Sequence, residues 1–403
     1  MENAPKLRFE GFDGEWESRC FEDVTVIKSA SRVHKEEWVD AGVPFFRSSD
    51  VMSAINGTNN EKVFISEELY QKLAAISGKL EKGDVLVTGG GSVGNPYIVP
   101  DNRPLYTKDA DLLWIKRSNS LNPQFVYQYF FSASFRSYMK SISHVGTIAH
   151  FTITQLEKTK ISLPSLGEQE RIGILFQHFD RLITLHQRKY DALLKAKQFY
   201  LQNLFPKKGE KKPCLRFVGF SGEWEENRLG ELAIFNPKAE LPEIFEYVDL
   251  ESVVGTEIIA HRTENKKTAP SRAQRLAQPG DVFYQTVRPY QKNNYLFEKN
   301  NGQYVFSTGY AQMRPHIDGH FLFCLIQNDD FINTVLEKCT GTSYPAISSK
   351  DLSEISVSSP SDSNEQQTIG HFFMNLNQLI NANRRKLETL KKMKQFMLQN
   401  LFV

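Results

Sequence analysis

Apolar residues recur every three or four positions over two long stretches of this chain. In the first they fall at Ile172, Phe176, Phe179, Ile183, Tyr190, Leu193, Leu194, Leu201, Leu204 and Phe205, with a polar interruption near His186. In the second they fall at Ile369, Phe373, Leu376, Leu379, Ile380, Leu387, Leu390, Phe396, Met397 and Leu401. This spacing predicts helices with a single apolar stripe. Neither stretch contains proline, and Gly173 and Gly370 fall in the first turns, so unbroken helices are expected over 166–205 and 363–403. At 1.5 Å per residue, a helix from Glu168 to Phe205 spans about 57 Å. So long a helix needs a partner for its stripe, and each stretch is the natural partner of the other in an antiparallel coiled-coil pair.

Ahead of each stretch the pattern changes to short strand-like runs between turn residues. They lie at 43–47, 83–88 and 110–115, and in the later part at 247–250, 280–285 and 310–314. An amphipathic helix is expected near 123–142 and again near 319–339, followed by a strand-like segment at 160–164 and 355–359. The expected fold class is α+β, with two similar mixed domains at 1–165 and 213–362 joined by the two long helices. The polar segment 206–212 (Pro-Lys-Lys-Gly-Glu-Lys-Lys) is the linker between them.

The two halves are copies. Pro5-x-Leu7-Arg8-Phe9-x-Gly11-Phe12-x-Gly14-Glu15-Trp16-Glu17 returns as Pro213-x-Leu215-Arg216-Phe217-x-Gly219-Phe220-x-Gly222-Glu223-Trp224-Glu225. Lys197-Gln198-Phe199-x-Leu201-Gln202-Asn203-Leu204-Phe205 returns as Lys394-Gln395-Phe396-x-Leu398-Gln399-Asn400-Leu401-Phe402. The offset between matching positions is 208 at the tryptophans and 197 at Gly83-Asp84-Val85 against Gly280-Asp281-Val282, so the first copy carries extra residues between these points. Identity is dense at the ends of each copy and sparse between. The shared parts therefore read as scaffold, the differing parts as two specificities, and the chain as pseudo-two-fold. Trp16 and Trp224 read as packing anchors.

Composition narrows the class. With 40% hydrophobic, 12% aromatic and 24% charged residues, the chain of 403 residues has an ordinary globular make-up, and its net charge is only +2. No apolar run is long enough to cross a membrane, and the first residues lack the pattern of a secretory leader, so a cytoplasmic protein is expected. Cys20, Cys214, Cys324 and Cys339 lack metal-ligand spacing, and no metal site is expected. Gly89-x-Gly91-x-x-Gly94 formally matches the dinucleotide fingerprint, but Asn95-Pro96-Tyr97-Ile98-Val99-Pro100 cannot open the helix that motif requires. Asn95-Pro96-Tyr97 is similar to the aminomethyltransferase motif, yet lacks its second proline and any glycine motif for S-adenosylmethionine. No catalytic constellation is found, so no enzyme is expected within this chain.

These features together resemble the specificity (S) subunit of a type I restriction–modification enzyme, over essentially the whole chain. The resemblance rests on the duplicated openings, the helix starts leading to Ile172 and Ile369, the Gln-Asn-Leu-Phe helix ends and the Gly341-Thr342-x-x-Pro345-Ala346-Ile347 element. The first copy departs from the last element with Ala149-His150-Phe151. The resemblance implies a non-catalytic subunit whose two target recognition domains each read half of a bipartite, asymmetric double-stranded DNA site, with the long helices fixing the spacer. It further implies two methyltransferase (M) subunits and restriction/translocase (R) subunits as partners. S-adenosylmethionine, ATP and Mg would belong to those partners, and no cofactor is expected on this chain.

The candidate DNA-reading residues are Arg47, Ser48, Ser49, Thr88, Gly90, Ser92, Thr147 and His150 in the first copy. In the second they are Gln285, Thr286, Arg288, Tyr290, Gln291, Lys292, Thr342, Ser343 and Tyr344, because Arg and Gln can grip guanine and adenine edges with two hydrogen bonds. Phe199, Leu201, Gln202, Leu204, Phe205, Phe396, Leu398, Gln399, Leu401 and Phe402 are candidates for helix packing or partner docking. The competing reading is a non-catalytic coiled-coil scaffold holding two protein-binding domains.

Overall fold

The computed structural model describes residues 3–108, 111–142, 150–300, 302–341 and 343–403. The chain divides into two compact units, Met1–Gln187 with Lys386–Val403, and Arg188–Arg385. Each long helix is therefore shared: its beginning belongs to the unit of the domain before it, its end to the other unit. The helices are Leu166–Asn203 and Ser363–Asn400. Inside unit 1 they run antiparallel, since Phe176 meets Phe402 while Asp180, further along the first, pairs with Lys394, further back along the second.

Among the described residues both units hold a two-stranded sheet, a four-stranded antiparallel sheet and a mixed sheet. In unit 1 a two-stranded antiparallel sheet pairs Glu17–Cys20 with Lys160–Leu163, and in unit 2 Glu225–Arg228 pairs with Ser356–Ser359. A four-stranded antiparallel sheet has the order Ile27–Lys28, Leu112–Ile115, Val85–Thr88, Pro96–Ile98; its counterpart is Ala233–Phe235, Tyr310–Pro315, Val282–Gln285, Tyr295–Leu296. The third sheet contains a parallel pair, Val43–Phe46 with Tyr106–Thr107 at the sheet's edge in unit 1 and Ile244–Val248 with Tyr304–Ser307 at its centre in unit 2. The extra length of the first copy is visible as the helices Ser48–Asn56 and Glu67–Ser77, where the second has the hairpin Val253–Val254/Glu257–Ile258 and the strand Arg262–Asn265.

The duplicated strings hold each unit together internally. Arg8 grips the Glu168 carboxylate with Nε at 2.9 Å and Nη2 at 2.8 Å, and Arg216 grips Glu365 at 2.8 and 2.7 Å. Both carboxylates are 1% exposed. Trp16 packs edge-on to Phe125, which stacks on Phe402; Trp224 packs on both Phe321 and Phe205. Each Gln-Asn-Leu-Phe ending closes its helix in the same way. The Asn203 and Asn400 amides donate to the carbonyls of Phe199 and Phe396, while their own carbonyls accept from Leu215 and Leu7. The leucine and phenylalanine that follow are driven into the core. Asp84 and Asp281, both fully buried, explain the Gly-Asp-Val match: each caps a turn and anchors the neighbouring strand through Trp114 Nε1 or Arg314.

Three expectations are corrected. The amphipathic stretches 123–142 and 319–339 are each two helices, Pro123–Tyr129 with Ala133–Ile142 and Gly319–Leu325 with Asp329–Lys338. Ser132 and Asn328 interrupt them, because their side chains accept from the next helix's backbone N–H groups. Leu194, Leu379 and Phe396 are 41%, 54% and 54% exposed, although the apolar spacing assigned them to the seam. Each has an apolar neighbour in sequence, and residues 100° apart on a helix cannot both face one partner. The long helices also end at Asn203 and Asn400, so Leu204, Phe205, Leu401 and Phe402 belong to the turn beyond.

Gly370 explains the glycine in the first turns of both long helices. A Cβ there would stand 2.5 Å from Asp318 Oδ1, 2.8 Å from His320 Cβ and 2.9 Å from the Phe321 nitrogen. Asp318 is the N-cap of Gly319–Leu325, so the clash falls on a backbone-anchored cap. Gly370→Ala is expected to lower stability by about 2 kcal/mol, outweighing the ~1 kcal/mol of helix propensity gained. Urea unfolding measures this, and an unchanged midpoint refutes it.

Candidate nucleic-acid interface

Both units build the same backbone frame at the end of the four-stranded sheet. In unit 1 the chain leaves Val85–Thr88 and Gly89 N–H donates to the Asp111 carbonyl at 2.8 Å, while the Gly89 carbonyl accepts from Phe151 N–H at 2.8 Å. In unit 2 the chain leaves Val282–Gln285 and Thr286 N–H donates to the Gly309 carbonyl at 3.0 Å, while the Thr286 carbonyl accepts from Ile347 N–H at 3.0 Å. Three separate segments are thus tied into one edge, twice, by hydrogen bonds that do not depend on side-chain identity. The loop that follows is free to vary.

In unit 1 that loop is glycine-rich because space demands it. A Cβ on Gly90 would lie 2.8 Å from Asp111 Oδ1. Gly94 has φ +73°, and its Cβ would lie 3.0 Å from the Phe135 ring. The loop then enters the strand Pro96–Ile98 rather than a helix, so it offers no helix N-terminus for a pyrophosphate. Ser92 and His150 are exposed at this edge, and Gly90 is buried. Thr88 is fully buried; its hydroxyl donates to the Ser92 carbonyl and accepts from Asn95 N–H, so it shapes the loop from beneath. Arg47, Ser48 and Ser49 do not form a loop, because Ser48–Asn56 is a helix with Arg47 at its N-cap. Arg47 is committed to Asp50 and the Glu61 carbonyl, Ser48 donates to the Asp111 carbonyl, and Ser49 accepts from Asn60. Asp111, paired with Lys108, is a member of this edge that sequence reading missed. Its role comes from the fold bringing it beside Gly90, which no local pattern announces.

In unit 2 the loop carries side chains instead. Gln285 and Thr286 are 2% and 7% exposed. The Gln285 amide donates to the Val287 carbonyl and to Gln291 Oε1, and the Thr286 hydroxyl donates to the Gly309 carbonyl. Lys292 is held by Asp329 and by the Gln327 carbonyl. Arg288, Tyr290, Ser343 and Tyr344 remain at the surface, with Tyr290 50% and Tyr344 63% exposed. The Arg288 guanidinium lies over the Tyr344 ring, 4.4 Å from its centroid. Thr147 and Thr342 lie outside the described residues.

Of the helix-end residues, Leu204, Phe205, Leu401 and Phe402 are buried. Leu201 and Leu398 are half-buried, and Gln202 and Gln399 are exposed. Phe199 and Phe396, at matching positions, are 52% and 54% exposed. Each lies one turn before the asparagine that binds the backbone of Leu215 or Leu7, which are 39% and 37% exposed, so each unit shows the same small apolar surface. Among the described residues no group of His, Cys, Asp or Glu side chains is arranged to hold a metal ion. No described helix is long and apolar enough to cross a membrane.

Known proteins share this plan. A putative type I restriction enzyme specificity subunit of Haemophilus influenzae is 29% identical over 164 residues, covering 40% of this chain and 39% of that protein. The HindI specificity subunit of the same organism is 26% identical over 193 residues, 45% of this chain and 41% of that protein, so this chain matches about two fifths of either relative. A putative specificity subunit of Methanocaldococcus jannaschii, MjaX, is 23% identical over 414 residues, 98% of this chain and 94% of that protein. The crystal structure of a type I restriction–modification S subunit from M. genitalium shares the fold, with a TM-score of 0.63 at 18% identity over 99% of both chains. The family model of the type I restriction modification DNA specificity domain matches residues 13–195 and again 222–392. With both halves matched and the same backbone frame built twice, this chain belongs to the type I restriction modification DNA specificity domain family.

Proposed function

We propose that this chain is the non-catalytic, DNA-reading subunit of a type I restriction–modification complex, each domain reading one half of a bipartite, asymmetric site. The observation that carries the reading is the duplicated backbone frame with unlike loops: glycines, Ser92 and His150 in one unit, Arg288, Tyr290 and Tyr344 in the other. A frame fixed by backbone hydrogen bonds can exchange its side chains without refolding, as a family of differing specificities requires. Helices of about 57 Å are long enough to separate two readers by one turn of duplex, about 34 Å.

Two methyltransferase subunits and restriction/translocase subunits complete the complex, and S-adenosylmethionine, ATP and Mg serve there. The matching apolar surfaces, Leu7 with Phe396 and Leu215 with Phe199, suit two copies of one partner. A modest net charge of +2 fits a reader whose partners supply part of the phosphate contact. Binding DNA in such a complex agrees with the cytoplasmic location expected from the sequence.

A domain exchange tests this. Residues 20–160 run from the end of Glu17–Cys20 to the start of Lys160–Leu163, so a swap between two family members leaves the Arg8–Glu168 clamp in place. The hybrid complex is expected to enrich a changed first half-site and an unchanged second from a random duplex library. No enrichment by either parent complex defeats the proposal and favours a protein-binding scaffold.

A further inference from the structure

We infer that Arg288 reads a guanine in the half-site of the second domain, gripping its major-groove edge with the guanidinium fork. This rests on the DNA-reading function proposed above.

Arg288 stands in the left-handed backbone region at φ +55°, where a residue with a Cβ is strained. The matching position in the first copy is Gly91, at φ +70°, which adopts that conformation freely. The frame is therefore the same in both units, and unit 2 accommodates an arginine where glycine fits better. Strain of this kind persists where surrounding structure enforces it, and it concentrates at binding sites. The enforcement is visible. Arg288 N–H donates to the Pro345 carbonyl at 2.8 Å, and Val287 bridges Ala346.

The side chain is held ready rather than used up. Among the described residues no carboxylate pairs with it, whereas Arg8, Arg47, Arg216, Arg262 and Arg314 all bind one. Its planar group rests on the exposed ring of Tyr344, which restricts its rotamers while leaving the N–H fork open. The neighbouring polar groups are internally engaged: Gln285 and Thr286 point inward, and Lys292 is tied to Asp329. A free, stacked, pre-oriented fork matches the O6 and N7 acceptors of guanine, the commonest specific arginine contact in DNA.

Glycine is the informative substitution, because it relieves the strain and removes the fork without endangering the fold. The full chain, assembled with its methyltransferase partner, is used to select from a random duplex library. The wild-type complex is expected to enrich a bipartite motif, and Arg288→Gly the same motif with one G·C pair of the second half-site relaxed roughly 10- to 100-fold. Replacing that guanine by 7-deazaguanine should weaken the wild-type complex similarly and leave the Arg288→Gly complex unaffected. Uniform weakening with the motif intact marks a phosphate contact and overturns the inference. So does relaxation at a base pair other than G·C, or full binding to 7-deazaguanine at every position. A wild-type complex that enriches nothing defeats instead the DNA-reading function itself.

Discussion

Arg8→Ala is expected to destabilise unit 1 by about 3–5 kcal/mol, the usual effect of removing one partner from a buried ion pair. The Glu168 carboxylate is 1% exposed, and both its oxygens are bound by Arg8 at 2.9 and 2.8 Å. Without the guanidinium the charge is buried and uncompensated. The matching change in unit 2, Arg216→Ala, should cost less. There the Trp224 indole N–H also reaches Glu365, at 3.4 Å, while the Trp16 indole N–H has no partner among the described residues. Urea unfolding followed by hydrogen exchange measures the loss and locates it. A loss below about 1 kcal/mol in unit 1 would mean the clamp is worth no more than a surface pair.

Phe205→Ala is expected to lower the stability of unit 2 by about 3–5 kcal/mol. Its ring is 4% exposed and sits 5.9 Å from Trp224, 5.6 Å from Phe321 and 6.3 Å from Phe373. The first long helix thereby delivers a core residue to the second domain, and truncation leaves a cavity lined by rings that cannot collapse onto it. Phe199→Ala is the contrast. That ring is 52% exposed, and its loss should change stability by less than about 0.5 kcal/mol. Equal effects of the two substitutions on a thermal melt would show that the helix end is not docked.

Much of this was legible because the chain is doubled. Long helices betray themselves by period, and identical strings marked the Arg8, Trp16 and Leu204-Phe205 anchors. The breaks at Ser132 and Asn328 were hidden because the apolar pattern continues through them: Phe130 and Phe135, like Ile326 and Phe331, are all core. Local capping decided there, against periodicity. Thr88, Gln285 and Thr286 looked like surface readers because polar residues at strand ends usually are. Here, however, they satisfy backbone groups beneath the loop. Arg47 and Arg288 are indistinguishable as letters, and only the fold shows one bound to Asp50 and the other, among the described residues, without a carboxylate. Asp111 reaches the edge solely through tertiary pairing with Gly89.

The interlaced construction of the units bears on how the chain is made. Phe125 cannot meet Phe402 until both copies have been made and Phe402 has left the ribosome. The place that Phe402 takes against Phe125 and Phe176 thus stays unfilled until the second copy has been made, and the domain made first is sealed late. Contacts so distant in sequence close slowly and leave apolar surface open meanwhile. A product that stops short of Phe402 lacks this plug and leaves the rings of Phe125 and Phe176 exposed to solvent and proteolysis.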